Sequence, residues 1–294
     1  MSFVSYILNG ISLGSVYAII ALGYTMVYGI AKMLNFAHGD VIMVGGFTIF
    51  YAVSMQSWPP LVGVLIAVVL CTVLGITIEY IAYRPLRQAA SSLAVLITAI
   101  GVSYLLQNLA LLLFGANPKA FTSVVTVPAL KLADGQLTIS GETIVTIVSC
   151  LVIMTGLMIF INKTKAGQAM LAVAEDKGAA QLMGINVNGT ISLTFAIGSA
   201  LAAIAGMLLC SAYPTLTPYT GSMPGIKAFV AAVFGGIGSI PGALIGGIVL
   251  GIIEILSKAY ISSQLADAIV FMVLIIVLLV KPTGILGKKI QEKV

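Results

Sequence analysis

The side chains that could carry out acid, base or metal chemistry in this sequence are few and scattered. His38 is the only histidine, which excludes a metal site built on two histidines of this chain. The phosphate-binding pattern GxxxxGK[ST] is absent, so the chain cannot cradle a nucleotide phosphate by itself. No serine–histidine or paired-carboxylate arrangement of a membrane protease is evident. The sequence therefore predicts a protein that is not an enzyme, with no catalytic residues and no metal site.

We assign the ionisable residues within the apolar runs as Glu79, Glu254 and Asp267. Only Glu254 lies well inside such a run, and an acid at membrane depth is a functional candidate by default. The alternative is that Glu254 pairs with a neighbouring group and only shapes the packing. The sequence leaves both readings open.

Two interruptions of the apolar pattern mirror each other, Asn35–Asp40 in the first half and Gly235–Gly242 in the second. Broken helices around a central solute path would give such a pair. Polar groups at membrane depth survive only where protein or water satisfies them. The residues predicted to line or brace a translocation path are Asn35, Phe36, His38, Gly39, Gly235 and Gly236. A plain tight loop between two helices is the alternative.

A polar island, residues 162–188, separates two long apolar runs. Gln168–Asp176 is rich in helix formers, and Gly184 supplies a helix stop because it tolerates the left-handed conformation. We predict two short helices with a bend, lying outside the hydrocarbon as a docking surface. Its small, acidic and apolar residues are the predicted contacts with a partner: Ala174, Glu175, Asp176, Ala179, Ala180, Leu182 and Gly184. An ordinary connecting loop is the alternative, although most connections are only a few residues long.

The composition indicates a membrane protein. The chain is 60% hydrophobic and 8% charged, with a mean hydropathy of +1.15, whereas soluble domains carry about a quarter charged residues. The apolar runs are continuous and not alternating, which favours helices over barrel strands. The net charge of +5 is dispersed and not clustered, so a nucleic-acid partner is not indicated. We predict an all-α polytopic protein in contact with the lipid bilayer.

The apolar runs predict eight to ten transmembrane helices, some of them short or broken, in a single transmembrane domain spanning residues 1–294. The predicted spans are Tyr6–Tyr28, Val41–Val53, Leu61–Tyr83, Leu93–Phe114, Thr143–Ile161, Ile191–Ala212, Gly225–Ile240, Ala243–Ser257 and Ala266–Val280. Small residues recur every four positions at Gly10, Gly14 and Ala18, and overlapping GxxxG pairs occupy 242–251, which predicts close helix seams. Within the turn-rich segment 115–141, Ser123–Pro128 and Gln136–Ser140 are predicted to form a small hairpin.

Orientation follows from the positive-inside rule. Nine of the fourteen basic residues fall in three regions, and a cytoplasmic position is consistent for all three regions at once. These residues are Arg84, Arg87, Lys163, Lys165, Lys177, Lys281, Lys288, Lys289 and Lys293. The island and the C-terminus are then cytoplasmic, while residues 115–141 and 213–224 face outward. The side of the N-terminus stays undecided.

Several ordered motifs resemble those of branched-chain amino acid ABC-transporter permeases, of the shorter, LivH-like kind. Ala21-Leu22-Gly23-Tyr24 and Asn35-Phe36-Ala37-His38-Gly39-Asp40 resemble the N-terminal signature of that family. Ala172-Val173-Ala174-Glu175-Asp176 is similar to its cytoplasmic coupling segment. Phe229–Ala243 and Pro282–Gly287 resemble its glycine-rich block and its terminal motif. The resemblance covers nearly the whole chain in the expected order.

The resemblance implies a multi-pass subunit of a bacterial inner-membrane importer with a vitamin-B12-permease-like, type II importer fold. Such a subunit pairs with a second, related permease and two cytoplasmic ATPase subunits, and receives solute from a periplasmic binding protein. ATP is bound by the ATPases, so no cofactor is expected in this chain. The implied solute is a branched-chain or hydrophobic amino acid, and residues 162–188 and 115–141 become the coupling segment and a periplasmic loop.

Other functions stay open. Permeases for urea and short amides are built on similar motifs. An ion-coupled secondary transporter would run without an ATPase, and an intramembrane enzyme would need a constellation that the sequence does not offer. Neither the exact solute nor the partner permease follows from the sequence.

Overall fold

A computed structural model describes residues 2–88, 92–132 and 137–287, and within them the chain is almost entirely helical. The α-helices are α1 Ser2–Ala31, α2 His38–Phe50, α3 Pro60–Ile78, α4 Ser92–Phe114, α5 Gly141–Lys163, α6 Lys165–Glu175, α7 Lys177–Leu182, α8 Val187–Ala212, α9 Ser222–Gly235, α10 Ile240–Tyr260 and α11 Ala266–Val280. Wider π-helical turns extend α2 through Tyr51–Met55 and α3 through Glu79–Tyr83. The prediction of an all-α polytopic protein is confirmed.

Within the described residues, seven helices are long and apolar enough to cross a membrane. Two shorter apolar helices, α9 and α11, add to these, so the total lies within the predicted eight to ten. The predicted bounds of α4 and α11 are within one residue of those observed. The short and broken helices that the sequence predicted are therefore present.

The core of the bundle is built around α1, which packs against α8, α9 and α10. The predicted small-residue seam joins α1 to α10. A Cβ atom added at Gly14 would lie 2.6 Å from the Cα of Ile248, and one at Gly10 would lie 2.7 Å from the Cα of Ile252. These two backbones approach so closely that only glycine fits, as small-residue faces allow in membranes.

The outer surface of the bundle is apolar where α3, α4, α5 and α11 are exposed. Large side chains such as Leu65, Leu112, Val152 and Leu279 are exposed there. A contiguous apolar surface of this extent is expected where hydrocarbon replaces water as the solvent.

The first interruption differs from the prediction. The helix break covers 32–37, and His38, Gly39 and Asp40 form the first turn of α2. An acidic residue in the first turn of a helix is stabilised by the helix dipole, which favours a start before Asp40. The predicted break at Asn35–Asp40 was therefore wrong in its second half.

Two small sheets lie where the loops meet. Strands β1 Lys119–Ala120 and β4 Thr215–Leu216 pair antiparallel, and β2 Leu130–Leu132 pairs with β3 Leu137–Ile139. The predicted hairpin strand Ser123–Pro128 was wrong, since the amide of Val125 binds the hydroxyl of Ser123 instead of a neighbouring strand. Part of the second predicted strand, Gln136, lies outside the described residues.

The helices connect two opposite ends of the molecule. At the loop end, where α1 begins and α10 ends, the ring of Tyr6 lies 5.8 Å from that of Tyr260. At the island end, the ammonium group of Lys177 reaches the last residue of α1, and Arg87 reaches Asn188. Residues 281–287 also lie at the island end, whereas Lys288, Lys289 and Lys293 lie outside the described residues.

Candidate functional site

The break between α1 and α2 is held in place by side chains from other helices. Tyr83 donates a hydrogen bond to the side-chain oxygen of Asn35 over 3.0 Å, and both residues are buried. The ring of Phe36 lies 5.6 Å from that of Phe229 on α9. The break is thus a fixed structure satisfied by protein groups, as an interruption inside a membrane requires.

His38 is buried between α1 and α2. Its ring lies 4.8 Å from that of Tyr24 and hydrogen-bonds the backbone of Ile20. Its Nε2 atom is buried without a hydrogen-bond partner and faces Gly23, where any side chain would collide with the imidazole. Next to it, a Cβ at Gly39 would lie 2.6 Å from the carbonyl oxygen of Gly221. His38 and Gly39 thus set how closely α2 approaches α1 and α9.

The second interruption is a turn between α9 and α10. Gly236 and Gly238 have φ angles of +105° and +94°, which residues with side chains rarely adopt. The carbonyl groups of Phe234 and Gly235 accept hydrogen bonds from Ile285 and Leu286, each at 2.9 Å. Gly235 and Gly236 are therefore packed against the chain's own C-terminal segment and the start of α10.

The two interruptions meet at the island end. A Cβ at Gly29 would lie 3.3 Å from the Cα of Gly238. A crevice too narrow for a water molecule lies between the two interruptions. Its lining residues are Tyr24, Tyr28, Leu34, Asn35, Phe229, Ala232 and Ile237. Among the predicted path residues, Asn35 lines this crevice. Phe36 and His38 do not line it but contact its lining residues Phe229 and Tyr24. The predicted glycines pack closely against the backbone of neighbouring segments.

The island forms two short helices joined at one residue, as predicted. The hydroxyl of Thr164 accepts a hydrogen bond from the amide of Gly167 and caps α6. The carboxylate of Asp176 accepts hydrogen bonds from Gly178 and Ala179, at 2.8 and 3.0 Å, and caps α7. Asp176 therefore has a favourable position at a helix N-terminus, in addition to its position at the end of α6.

One side of the island packs on the bundle and the other is open. Met170, Val173 and Ala180 are buried in the main core. Glu175 and Ala179 are exposed, as is Gly184, while Leu182 and Met183 are 91% and 82% exposed. Ala180, predicted as a contact surface, is 4% exposed and packs against the chain itself, because α7 turns it inward.

Lys177 connects the island to the first break. Its ammonium group donates a hydrogen bond of 2.9 Å to the carbonyl of Ala31, the last residue of α1. Burial, followed by the nearby positive charges of Arg87 and Lys32, lowers the pKa of Lys177. Sequence reasoning missed this contact, which joins residues 146 positions apart.

A buried acid, Glu79, anchors the same end. It accepts hydrogen bonds from Arg84, from Arg87 and, at 2.6 Å, from Ser192 on α8. Arg87 also donates to Asn188 at the start of α8. The short spacing between Glu79 and the two arginines was the available sequence signal for this cluster.

A second buried glutamate, Glu254, is also paired. Lys227 and Lys258 both contact its Oε1 atom, at 2.8 and 2.6 Å, and Tyr17 donates to its Oε2 atom. Lys227 also pairs with Asp267 at 2.6 Å. The assignment of ionisable residues from the sequence omitted Lys227, a lysine in the apolar run of α9 and thus a visible signal.

A bundle of apolar helices, some short or broken, with an exposed two-helix segment is the architecture of a polytopic membrane protein. A profile of the family described as "Branched-chain amino acid transport system / permease component" matches residues 6–278. The chain belongs to this family.

Relatives in the family match the chain over nearly its full length. The "High-affinity branched-chain amino acid transport system permease protein LivH" of Salmonella typhimurium is 45% identical, covering 99% of this chain and 98% of that protein. The corresponding BraD protein of Pseudomonas aeruginosa is 42% identical with the same coverage. Among solved structures, "PsaBC from Streptococcus pneumoniae in complex with Fab" has a TM-score of 0.49 and 16% identity over 94% of this chain and 91% of that one.

Proposed function

We propose that this protein is the membrane-spanning permease subunit of an ATP-driven importer for branched-chain amino acids. The observation that carries the proposal is the full-length match, at 45% identity, to permeases named for branched-chain amino acid transport. The apolar crevice between the two interruptions, with Asn35 as a polar group, suits a hydrophobic solute better than an ion. Urea and short amides are the alternative solutes.

The transporter would be completed by other subunits. Two cytoplasmic ATPases would bind and hydrolyse ATP, since the chain contains no phosphate-binding loop of its own. A second related permease and a periplasmic solute-binding protein would complete the assembly in a bacterial inner membrane. The basic residues of the island end support a cytoplasmic position for the island and the C-terminus.

The coupling mechanism would act through the island. An ATPase would dock on the exposed side chains of α7, of which Leu182 and Met183 are large and apolar. Movement of α7 would pull on Ala31 through Lys177, because that hydrogen bond joins α7 directly to the end of α1. The break after α1 then shifts, and the crevice at Asn35 opens or closes.

Transport is tested in the cells that encode the chain. Its deletion should abolish ATP-dependent uptake of leucine, isoleucine and valine, and a plasmid copy should restore this uptake. Uptake that survives ATP depletion but stops with an uncoupler would favour an ion-coupled transporter. Loss of urea or acetamide uptake with normal leucine uptake would reassign the solute.

Docking is tested by a pair of neighbouring substitutions. Leu182→Asp should abolish co-purification of the ATPases, because it places a charge in an apolar contact, without lowering the amount of membrane-inserted permease. Gln181→Asp is the control, since Gln181 is exposed on the same helix and polar. Undiminished co-purification and ATPase stimulation in Leu182→Asp would show that the island is only a connection.

A further inference from the structure

A cavity of about 220 Å³ opens at the loop end, on the opposite side of the bundle from the coupling segment. It lies where the ends of α8 and α10 approach α1 and the first turns of α9. Its volume is below the roughly 300–1,000 Å³ of pockets that hold drug-sized ligands. A solute of the size of one amino acid matches it better.

The charged groups of the cavity wall belong to one ion-pair cluster. Lys227, Lys258 and Glu254 all line it, and both ammonium groups share one oxygen of the same carboxylate. The second acid, Asp267, pairs with Lys227 but does not line the cavity. The two lysines and the two acids of this cluster therefore balance in charge, and both lysines line the cavity. Lys258, whose side chain is 36% exposed, is the more accessible of the two lysines.

The rest of the wall is divided between hydroxyl groups and apolar side chains. Tyr213 and Thr220 supply hydroxyl oxygens, which can accept hydrogen bonds from an ammonium group. Leu13, Leu209 and Met223 supply an apolar surface. Such a wall offers a partner to each part of an aliphatic amino acid: its carboxylate, its ammonium group and its side chain.

We propose that this cavity is an entry site for the zwitterion of an aliphatic amino acid. Lys258 binds the carboxylate, the hydroxyl groups face the ammonium group, and the apolar wall covers the side chain. The inference rests on the proposed function and adds a recognition site outside the crevice at Asn35. It gives the Lys227–Glu254 pair a role as the fixed support that holds Lys258 in position.

The cavity can be probed by protecting a cysteine placed in its wall. Met223, in the first turn of α9, lines the cavity and is 43% exposed. Tyr219, in the loop just before α9, is 53% exposed and does not line it. Cys71, Cys150 and Cys210 of the chain are buried and contribute little labelling. Membranes containing full-length Met223→Cys or Tyr219→Cys are treated with a hydrophilic maleimide, with and without leucine.

Leucine at about ten times its dissociation constant should slow labelling of Met223→Cys about tenfold, by the factor 1 + [L]/Kd. Labelling of Tyr219→Cys should not change. Isoamylamine, which lacks the carboxylate, and 4-methylpentanoate, which lacks the amine, should not protect. Lys258→Gln in the Met223→Cys background should remove protection, and Lys258→Arg should retain it.

Three outcomes would overturn the inference: no protection by leucine, equal protection by the two truncated analogues, or protection that Lys258→Gln leaves intact. Protection by glycerophosphoethanolamine but not by leucine would assign the cavity to a lipid headgroup and also overturn it. Leucine uptake is measured in cells expressing the same Met223→Cys chain. Leucine uptake by this variant without protection of its cysteine would refute the entry site alone. If cells that express the unsubstituted chain do not take up leucine, the proposed function is refuted.

Discussion

The two ends of the molecule each contain a buried glutamate that pairs with two basic residues, but the surroundings differ. At the island end, Glu79 pairs with Arg84 and Arg87 and accepts a hydrogen bond from Ser192, so the cluster joins the end of α3 to α8. At the loop end, Glu254 holds Lys227 and Lys258 beside an open cavity. The same ion-pair chemistry fixes helices to each other at one end and presents a charge to a cavity at the other.

The largest expected effect is at Glu79. Glu79→Ala leaves Arg87 buried without a carboxylate, and removal of one partner of a buried pair costs about 3 kcal/mol or more. Glu254→Ala should cost less, because Lys227 retains Asp267. Thermal unfolding of the purified variants measures both. An equal or smaller loss for Glu79→Ala would show that its cluster does not fix the helices.

The next effect separates the two sides of the island. Ala180→Trp should destabilise the protein by about 1–3 kcal/mol, because a large side chain is forced into a packed core. Ala179→Trp, on the exposed side, should retain the stability of the parent protein but lose ATPase co-purification. Both are measured by thermal unfolding and pull-down. Equal stability of the two variants would contradict the buried position of Ala180.

A smaller effect is expected at Asp176, which caps α7. Asp176→Ala should cost about 1 kcal/mol, since removal of an N-cap side chain leaves amide groups without a partner. Asp176→Asn keeps an accepting oxygen and should lose only a few tenths of a kcal/mol at most. Amide hydrogen exchange in α7 reports the difference. Unchanged exchange in Asp176→Ala would show that the cap is not required.

The smallest effect on stability is expected at Lys177. Lys177→Met removes a charge whose pKa is lowered by burial and by nearby cations, so the unfolding temperature should stay the same or rise. ATPase stimulation and uptake should still fall, because the hydrogen bond to Ala31 is lost. Normal uptake in Lys177→Met would contradict the proposed link between α7 and the first break.

Lys258→Gln at the loop end should also leave stability unchanged, but it should alter the leucine dependence of uptake.

The sequence by itself determined the membrane location, the approximate helices and the island, because these follow from local composition. A run of about twenty apolar residues must cross the bilayer as a helix, whatever it packs against. The GxxxG spacing likewise predicted close seams, and the α1–α10 contact at Gly14 confirms one of them. The family resemblance added the functional class, which the full-length match confirms.

Only the tertiary structure decided which of these segments meet. Whether Ala180 faces a partner or the core depends on how α7 lies on the bundle, and periodicity in a six-residue helix is too short to decide it. The pairing of Lys177 with Ala31, of Tyr83 with Asn35 and of Lys227 with Glu254 joins distant parts of the chain. Such contacts arise when buried polar groups must find partners in three dimensions, and no local pattern specifies them.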